Sequence, residues 1–214
     1  VHTFYSQLLQ ERATAASPQE FMFSVTNAPV ALVAQHLQIP GEVWVVVQDE
    51  VSWEAALHYG ATLIENGAQK RVIVAAADEL SDSILAIHAG LGFFTSGYVL
   101  GEGCVTMVLE AEDDALERKA AIIGTVESYG MVQDCSCGPM DFCSDESFVQ
   151  ALQTTIGSDD CNDSFSPALQ QRVGDSGVCG GLSLAAQLLT RHDKHVFVKR
   201  SSRGGILAGT LVSL

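Results

Sequence analysis

Two rhythms of apolar and polar positions run along this chain, one with helical period and one of short continuous apolar runs. Tyr5, Leu8 and Leu9 stand at helical spacing and predict a helix over 5–16. Ser17-Pro18-Gln19-Glu20 then has the form of a helix start: a hydroxyl cap, proline at the first position and glutamate three residues after the cap. It predicts a second helix that carries Phe21, Val25, Ala28 and Leu32 inward and ends before Ile39-Pro40-Gly41. Val43 to Val47 is an uninterrupted apolar run between turn signals and predicts a strand buried on both faces. An amphipathic helix over 51–66 follows, closed by Gly67 in the left-handed stop position. Val72 to Ala77 predicts a second buried strand and 83–88 a short helix. Cys104 to Glu110 predicts a third strand, introduced by Gly101-Glu102-Gly103.

The remainder repeats this order in compressed form. Strands are predicted over 120–129, 195–199 and 206–214, with helices over 146–156 and 180–191. Segments 130–145 and 157–175 are acidic and loop-like. The order is that of an α/β layer with helices packed on a largely buried sheet. The charged stretch 113–119 divides an N-terminal half, 1–119, from a shortened C-terminal half, 120–214. Neither half would bury its sheet alone, so the two are expected to form one unit.

Charge narrows the range of partners. The 214 residues hold 11 basic and 26 acidic side chains, a formal net charge of −15. A phosphate backbone or an anionic membrane surface would be repelled. An acidic carrier protein could dock only through a basic patch or a second subunit. No apolar run is long enough to span a bilayer. The chain opens on valine with no charged-then-apolar signal segment, and the expectation is a reduced, cytoplasmic protein. Six cysteines spread through a sizeable core do not read as a secreted disulfide framework. Cys135, Cys137, Cys143 and Cys161 lack the paired spacing of a zinc site. Neither a metal nor a cofactor is called for.

The candidate chemistry sits where the first apolar run meets a helix, at Gln48-Asp49-Glu50-Val51-Ser52. The first N–H groups of a helix are unpaired and favour negative charge, so a cysteine there becomes a reactive thiolate. This chain offers Glu50 instead, and the plain alternative is that Asp49 and Glu50 cap the helix. A second candidate is Gly177-Val178-Cys179-Gly180-Gly181, which has the spacing of a nucleophile elbow. The competing reading is that small residues there let a helix approach a sheet closely, with Cys179 a small buried hydrophobe.

Taken in order, several of these segments resemble the β-ketoacyl synthases. Ser17-Pro18-x-x-Phe21-x-x-Ser24-Val25-x-Asn27-Ala28 is similar to the helix that opens their nucleophile region. Residues 43–67, with Ser52-Trp53-x-Ala55-Ala56-Leu57 and the terminal Gly67, resemble the nucleophile unit itself. Val72–Asp78 with Gly101-Glu102-Gly103-Cys104 resembles the next strand and the Gly-Glu-Gly-Ala turn. Arg203-Gly204-Gly205 resembles the glycine-rich loop before the last strand. The resemblance implies a thiolase-like fold with layered α-β-α-β-α packing.

The same resemblance implies an absence of chemistry. Counting back from Gly67 puts the nucleophile position at Glu50, and the turn that should hold a histidine corresponds to 173–181, which has none. The segment for the other histidine falls in 130–170, also without one. His192 and His195 sit at a helix end and a strand start, and His58 and His88 lie on helices with no thiol near in sequence. A condensing fold without its catalytic groups resembles the chain length factors of type II polyketide synthases, and more narrowly the compact subunits of aryl polyene pathways. It implies a non-catalytic subunit in a heterodimer with an active β-ketoacyl synthase, with acyl carrier protein reaching it through the complex. The implied partner surface is Val43, Trp44, Val45, Val46, Val47 and Gln48. Candidate tunnel or loop residues are Asn27, Arg203, Gly204 and Gly205. The alternative is an enzyme: a decarboxylase using Glu50 or a hydrolase using Cys179.

Overall fold

Ser17 does cap a helix, its Oγ accepting from the N–H of Glu20 at 3.4 Å. The computed structural model describes residues 2–11, 17–48, 50–91, 100–133, 146–157, 179–190, 195–200 and 206–213. Their contacts divide the chain into two compact units, 1–46 and 47–214.

The first unit is helical: α1 (His2–Glu11), α2 (Pro18–Met22) and α3 (Ala28–His36). The single long helix expected after Ser17 is therefore two. Pro29 lies in the first turn of α3, where its missing N–H costs no helix bond, so it suits a helix start and not the interior of one long helix. The side chains expected to point inward do not. Phe21, Val25 and Leu32 are all exposed. The ring of Phe4 on α1 lies 5.4 Å from that of Phe21.

Residues 43–47 form no strand among the described residues, with only a bridge between Gln48 and Glu50 beside them. The expected buried strand is not there. A continuous apolar run is buried on both faces only when strands flank it, and no described strand does so. Val43, Trp44, Val45 and Val47 are exposed.

The second unit contains α4 (Ser52–Glu65), β1 (Arg71–Asp78), α5 (Asp82–Gly90), β2 (Gly103–Glu110), α6 (Glu112–Glu117), β3 (Thr125–Gln133), α7 (Glu146–Ile156), α8 (Cys179–Thr190), β4 (His195–Arg200) and β5 (Ile206–Ser213). α4 ends as its glycine predicts. Gly67 takes φ +65°, its N–H reaches Ile64 O and the N–H of Ala68 reaches Leu63 O, each at 2.9 Å. β3 starts at Thr125, later than the expected start at 120; residues 120–124, which follow α6 and its turn, belong to no strand. Arg118 closes that turn on Glu110 at 2.6 Å.

β1 and β2 pair antiparallel, Val74 opposite Met107 and Ala76 opposite Val105. β3, β5 and β4 form a second antiparallel sheet in that order, with Tyr129 and Phe197 both opposite Thr210. α4 lies between the sheets and touches β1, β2, β3 and β5, α8 joins it against β2 and β4, and α7 covers β3 and β5 from the other side. The layers of this unit thus run sheet, helices, sheet, helix. Trp53, Leu57, Val74, Val105, Leu184 and Val212 make the main core, drawn from α4, β1, β2, α8 and β5. β1 and β2 are buried on one face only, because α4 and α8 cover only that side. Ile73 and Val108 on the other face are exposed, and for β1 this departs from the buried strand expected.

Candidate functional site

The corner before α4 is built by backbone more than by side-chain capping. Gln48 N–H donates to Ser52 Oγ at 2.8 Å and Val51 N–H to Gln48 O at 3.2 Å, which turns the chain into the helix. Val51 is the N-cap residue, with no side-chain cap bond. Glu50 lies one residue before that cap, half-buried. Asp49 lies outside the described residues. Val51 is fully buried against Ala208 of β5, with Met131 of β3 beside them, so the second sheet holds the corner in place.

α4 presents two chemically different faces. Trp53, Leu57 and Gly60 recur at helical spacing and meet the first sheet through apolar contact alone. Glu54, His58, Thr62 and Glu65 recur on another stripe, where His58, Thr62 and Glu65 meet the second sheet through polar groups. His58, buried, places Nε2 2.9 Å from Oγ1 of the buried Thr210. Its ring tilts against Tyr129, with centroids 5.0 Å apart. The Thr62 hydroxyl donates to the His58 carbonyl at 2.9 Å and lies 2.8 Å from the Tyr129 hydroxyl, which donates to Glu65 Oε2 at 2.9 Å. Burial pushes the Tyr129 phenol above its ordinary value; the Thr62 bond opposes this, and the bond to Glu65 and that carboxylate's charge add to it.

This network was not read from the sequence. The available signal was a polar residue every third or fourth position along one side of a helix otherwise rich in apolar residues. The sequence around His58 holds no sign of Thr210, which lies 152 residues away.

The other expected site residues are scattered. Asn27 is exposed at the start of α3 and makes no side-chain cap bond. Arg203, Gly204 and Gly205 lie outside the described residues, as do His192, Cys135, Cys137, Cys143 and Cys161. Cys179 is the first residue of α8. Two residues on, a Cβ at Gly181 would come within 2.5 Å of Val105 and 2.6 Å of Trp53. Small residues at this helix start do let it approach the sheet closely. Among the described residues no cluster of three or more His, Cys, Asp or Glu side chains could hold a metal ion, and no helix is long and apolar enough to cross a membrane.

No protein-family model and no curated protein matches the chain. Solved structures do. A β-ketoacyl synthase from Burkholderia phymatum STM815 matches with a TM-score of 0.78 over 99% of this chain and 71% of that one, at 15% identity. The ishigamide ketosynthase/chain length factor matches at 0.72 over 99% and 68%, at 18% identity. A type II polyketide synthase acyl-carrier protein in complex with its ketosynthase bound to the hexaketide matches at 0.76 over 94% and 70%, at 11% identity. The chain has the thiolase-like fold of the β-ketoacyl synthases, in a form shorter than these neighbours.

Proposed function

We propose that this chain is a non-condensing, chain-length-factor-like subunit that pairs with an active β-ketoacyl synthase and shapes the tunnel holding the growing acyl chain. One observation carries the reading: the corner that leads into α4 presents Glu50, where the resemblance to ketosynthases puts the cysteine nucleophile. A carboxylate attacking a thioester would give an anhydride, so Glu50 does not replace a thiol. The His58 imidazole is buried against Thr210, in a structural bond.

The pairing draws support from the fold shared with a ketosynthase/chain length factor, and the carrier protein from the fold shared with a ketosynthase complexed to its acyl-carrier protein. In this reading residues 1–119 and 120–214 are the two halves of one ketosynthase-like body. Val43 to Gln48 meet the partner, and Asn27, Arg203, Gly204 and Gly205 are tunnel or loop positions. The carrier protein docks through the complex, because a chain of net charge −15 repels an acidic carrier. We place the assembly in the cytoplasm and, more narrowly, in fatty acid or polyketide synthesis of the aryl polyene kind.

The test is co-expression with the Cys-His-His ketosynthases encoded in the same genome, followed by light scattering on the purified species. A stable one-to-one complex is expected. A chain that stays alone with every such ketosynthase would sink the proposal.

A further inference from the structure

α4 ends on Asn66-Gly67, the one place in the chain where glycine follows asparagine; Asn27 precedes alanine and Asn162 precedes aspartate. Asparagine is a chemically labile residue. The backbone nitrogen of the next residue can attack its side-chain amide and close a five-membered imide. Glycine in that place has no Cβ to screen the nitrogen.

The last turn of α4 holds the reacting groups away from that geometry. Asn66 is the C-cap residue at φ −77° and ψ −1°, so the Gly67 nitrogen eclipses the Asn66 nitrogen. Ring closure needs it to swing about the Cα–C bond until it eclipses Cβ instead. The Gly67 N–H is meanwhile bonded to Ile64 O at 2.9 Å, and those of Ala68 and Gln69 both reach Leu63 O, at 2.9 and 3.1 Å. The swing breaks all three bonds. Gly67 has φ +65° and open space where a Cβ would stand, so hydrogen bonds and not packing at Gly67 keep the turn shut.

We propose that Asn66 is a site of spontaneous deamidation gated by this turn: closed while the Gly67–Ile64 bond stands, open when the helix end frays. Helix ends open locally at far lower cost than the whole fold. On opening, solvent base takes the Gly67 amide proton, the nitrogen bonds to Asn66 Cγ, and the Cγ–Nδ2 bond breaks with ammonia leaving. One water then opens the imide at either carbonyl, giving aspartate or isoaspartate, and the new carboxyl proton leaves with ammonia as ammonium. Isoaspartate places one more backbone carbon before Gly67, so the three N–H groups no longer meet Ile64 and Leu63 together. The new charge also falls beside Glu65 at a helix C-terminus, where negative charge is disfavoured. β1 begins at Arg71, so a brief opening leaves a lasting fault at the joint between α4 and its first sheet. None of this depends on the pairing proposed above.

The experiment ages the full chain at mildly alkaline pH with and without denaturing urea and maps deamidation at Asn27, Asn66 and Asn162 by peptide mass and isoaspartate-selective methylation. Asn66 is expected to react first of the three in urea, and at least tenfold more slowly in the native chain than in urea. In urea Gly67→Ala should slow the reaction at Asn66 at least tenfold, a comparison that does not require the variant to fold. Native chain carrying isoaspartate at 66, separated by charge, should exchange the amides of 63–69 at least tenfold faster than fresh chain. Equal rates at Asn66 with and without urea would overturn the gate. No reaction at Asn66 in urea, or none slowed by Gly67→Ala, would overturn the site. Unchanged exchange over 63–69 after conversion would overturn the fault at the joint.

Discussion

Nε2 of His58 on α4 lies 2.9 Å from Oγ1 of Thr210 on β5, and both residues are buried. Thr210→Val keeps the shape and removes the hydroxyl, leaving the imidazole without this partner in an apolar layer. The expected loss is about 1–3 kcal/mol of unfolding free energy, read from the urea midpoint, with Thr210→Ser close to wild type. An unchanged midpoint for the valine variant would show that the bond contributes nothing.

Helix-to-sheet distance sets a second expectation. At Gly181 an added Cβ would lie 2.5 Å from Val105 Cγ1 and 2.6 and 2.8 Å from the Trp53 ring. At Gly60 the nearest atoms are the Val74 Cγ2 methyl at 2.9 Å and the Leu109 Cδ1 methyl at 3.1 Å. Gly181→Ala should therefore cost about 1–3 kcal/mol by overpacking, more than the gain of up to about 1 kcal/mol from helix propensity. Gly60→Ala should cost less, because methyl groups yield more readily than an indole. Thermal unfolding of the two variants decides the order, and the reverse order would contradict the packing described.

Tyr129 gives the chain an alkaline limit. Burial, with the Glu65 carboxylate beside it, makes the folded protein hold the phenol proton more tightly than the unfolded chain does. The stabilisation from this difference is whole below the ordinary phenol value of 10.0 and is lost as pH rises through the higher folded value. Urea unfolding of wild type and Tyr129→Phe should converge, or cross, as pH is raised from about 8 to about 11. A difference between the two that stays constant over that range would remove the argument.

Restoring a thiol should not restore condensation. Glu50→Cys places the nucleophile type at the head of α4, but the imidazole on that helix, His58, is engaged with Thr210. The isolated variant, given acyl and malonyl carrier proteins, should form no condensed product. The isolated wild-type chain should release no carbon dioxide from malonyl carrier protein. Clear release would favour a decarboxylase over a scaffold.

The sequence was most legible where a local stop or start agreed with the periodicity. Gly67 closes α4 where its position predicts, and α5, α7, α8, β1, β2, β4 and β5 fall within a few residues of expectation. It was less legible where burial depends on which layers exist. Val43–Val47 and β1 have the apolar density of buried strands, but covering layers are a property of the assembled fold and not of the segment. Pro29 is a local signal of a helix start, and it lies in the first turn of α3. The corner at Glu50 could be found from strand-then-helix order. The His58–Thr210 contact could not, because nothing in either segment announces the other.

The two faces of α4 also imply an order of events as the chain folds. Its apolar face meets β1 and β2, which follow within a few dozen residues, so those contacts close short loops. On the polar face the Tyr129 contacts close loops of 64 and 67 residues, and the His58 bond must wait for Thr210 of β5, 152 residues on. Local closure carries the smaller entropic cost and precedes distant closure. α4 with β1 and β2 is expected to act as the nucleus, and the His58–Thr210 bond to be absent from the rate-limiting barrier. Stopped-flow kinetics of Thr210→Val should then show faster unfolding with nearly unchanged refolding, whereas slowed refolding would place β5 in the nucleus. A bond made that late slows the protein's loss of structure without hastening its arrival.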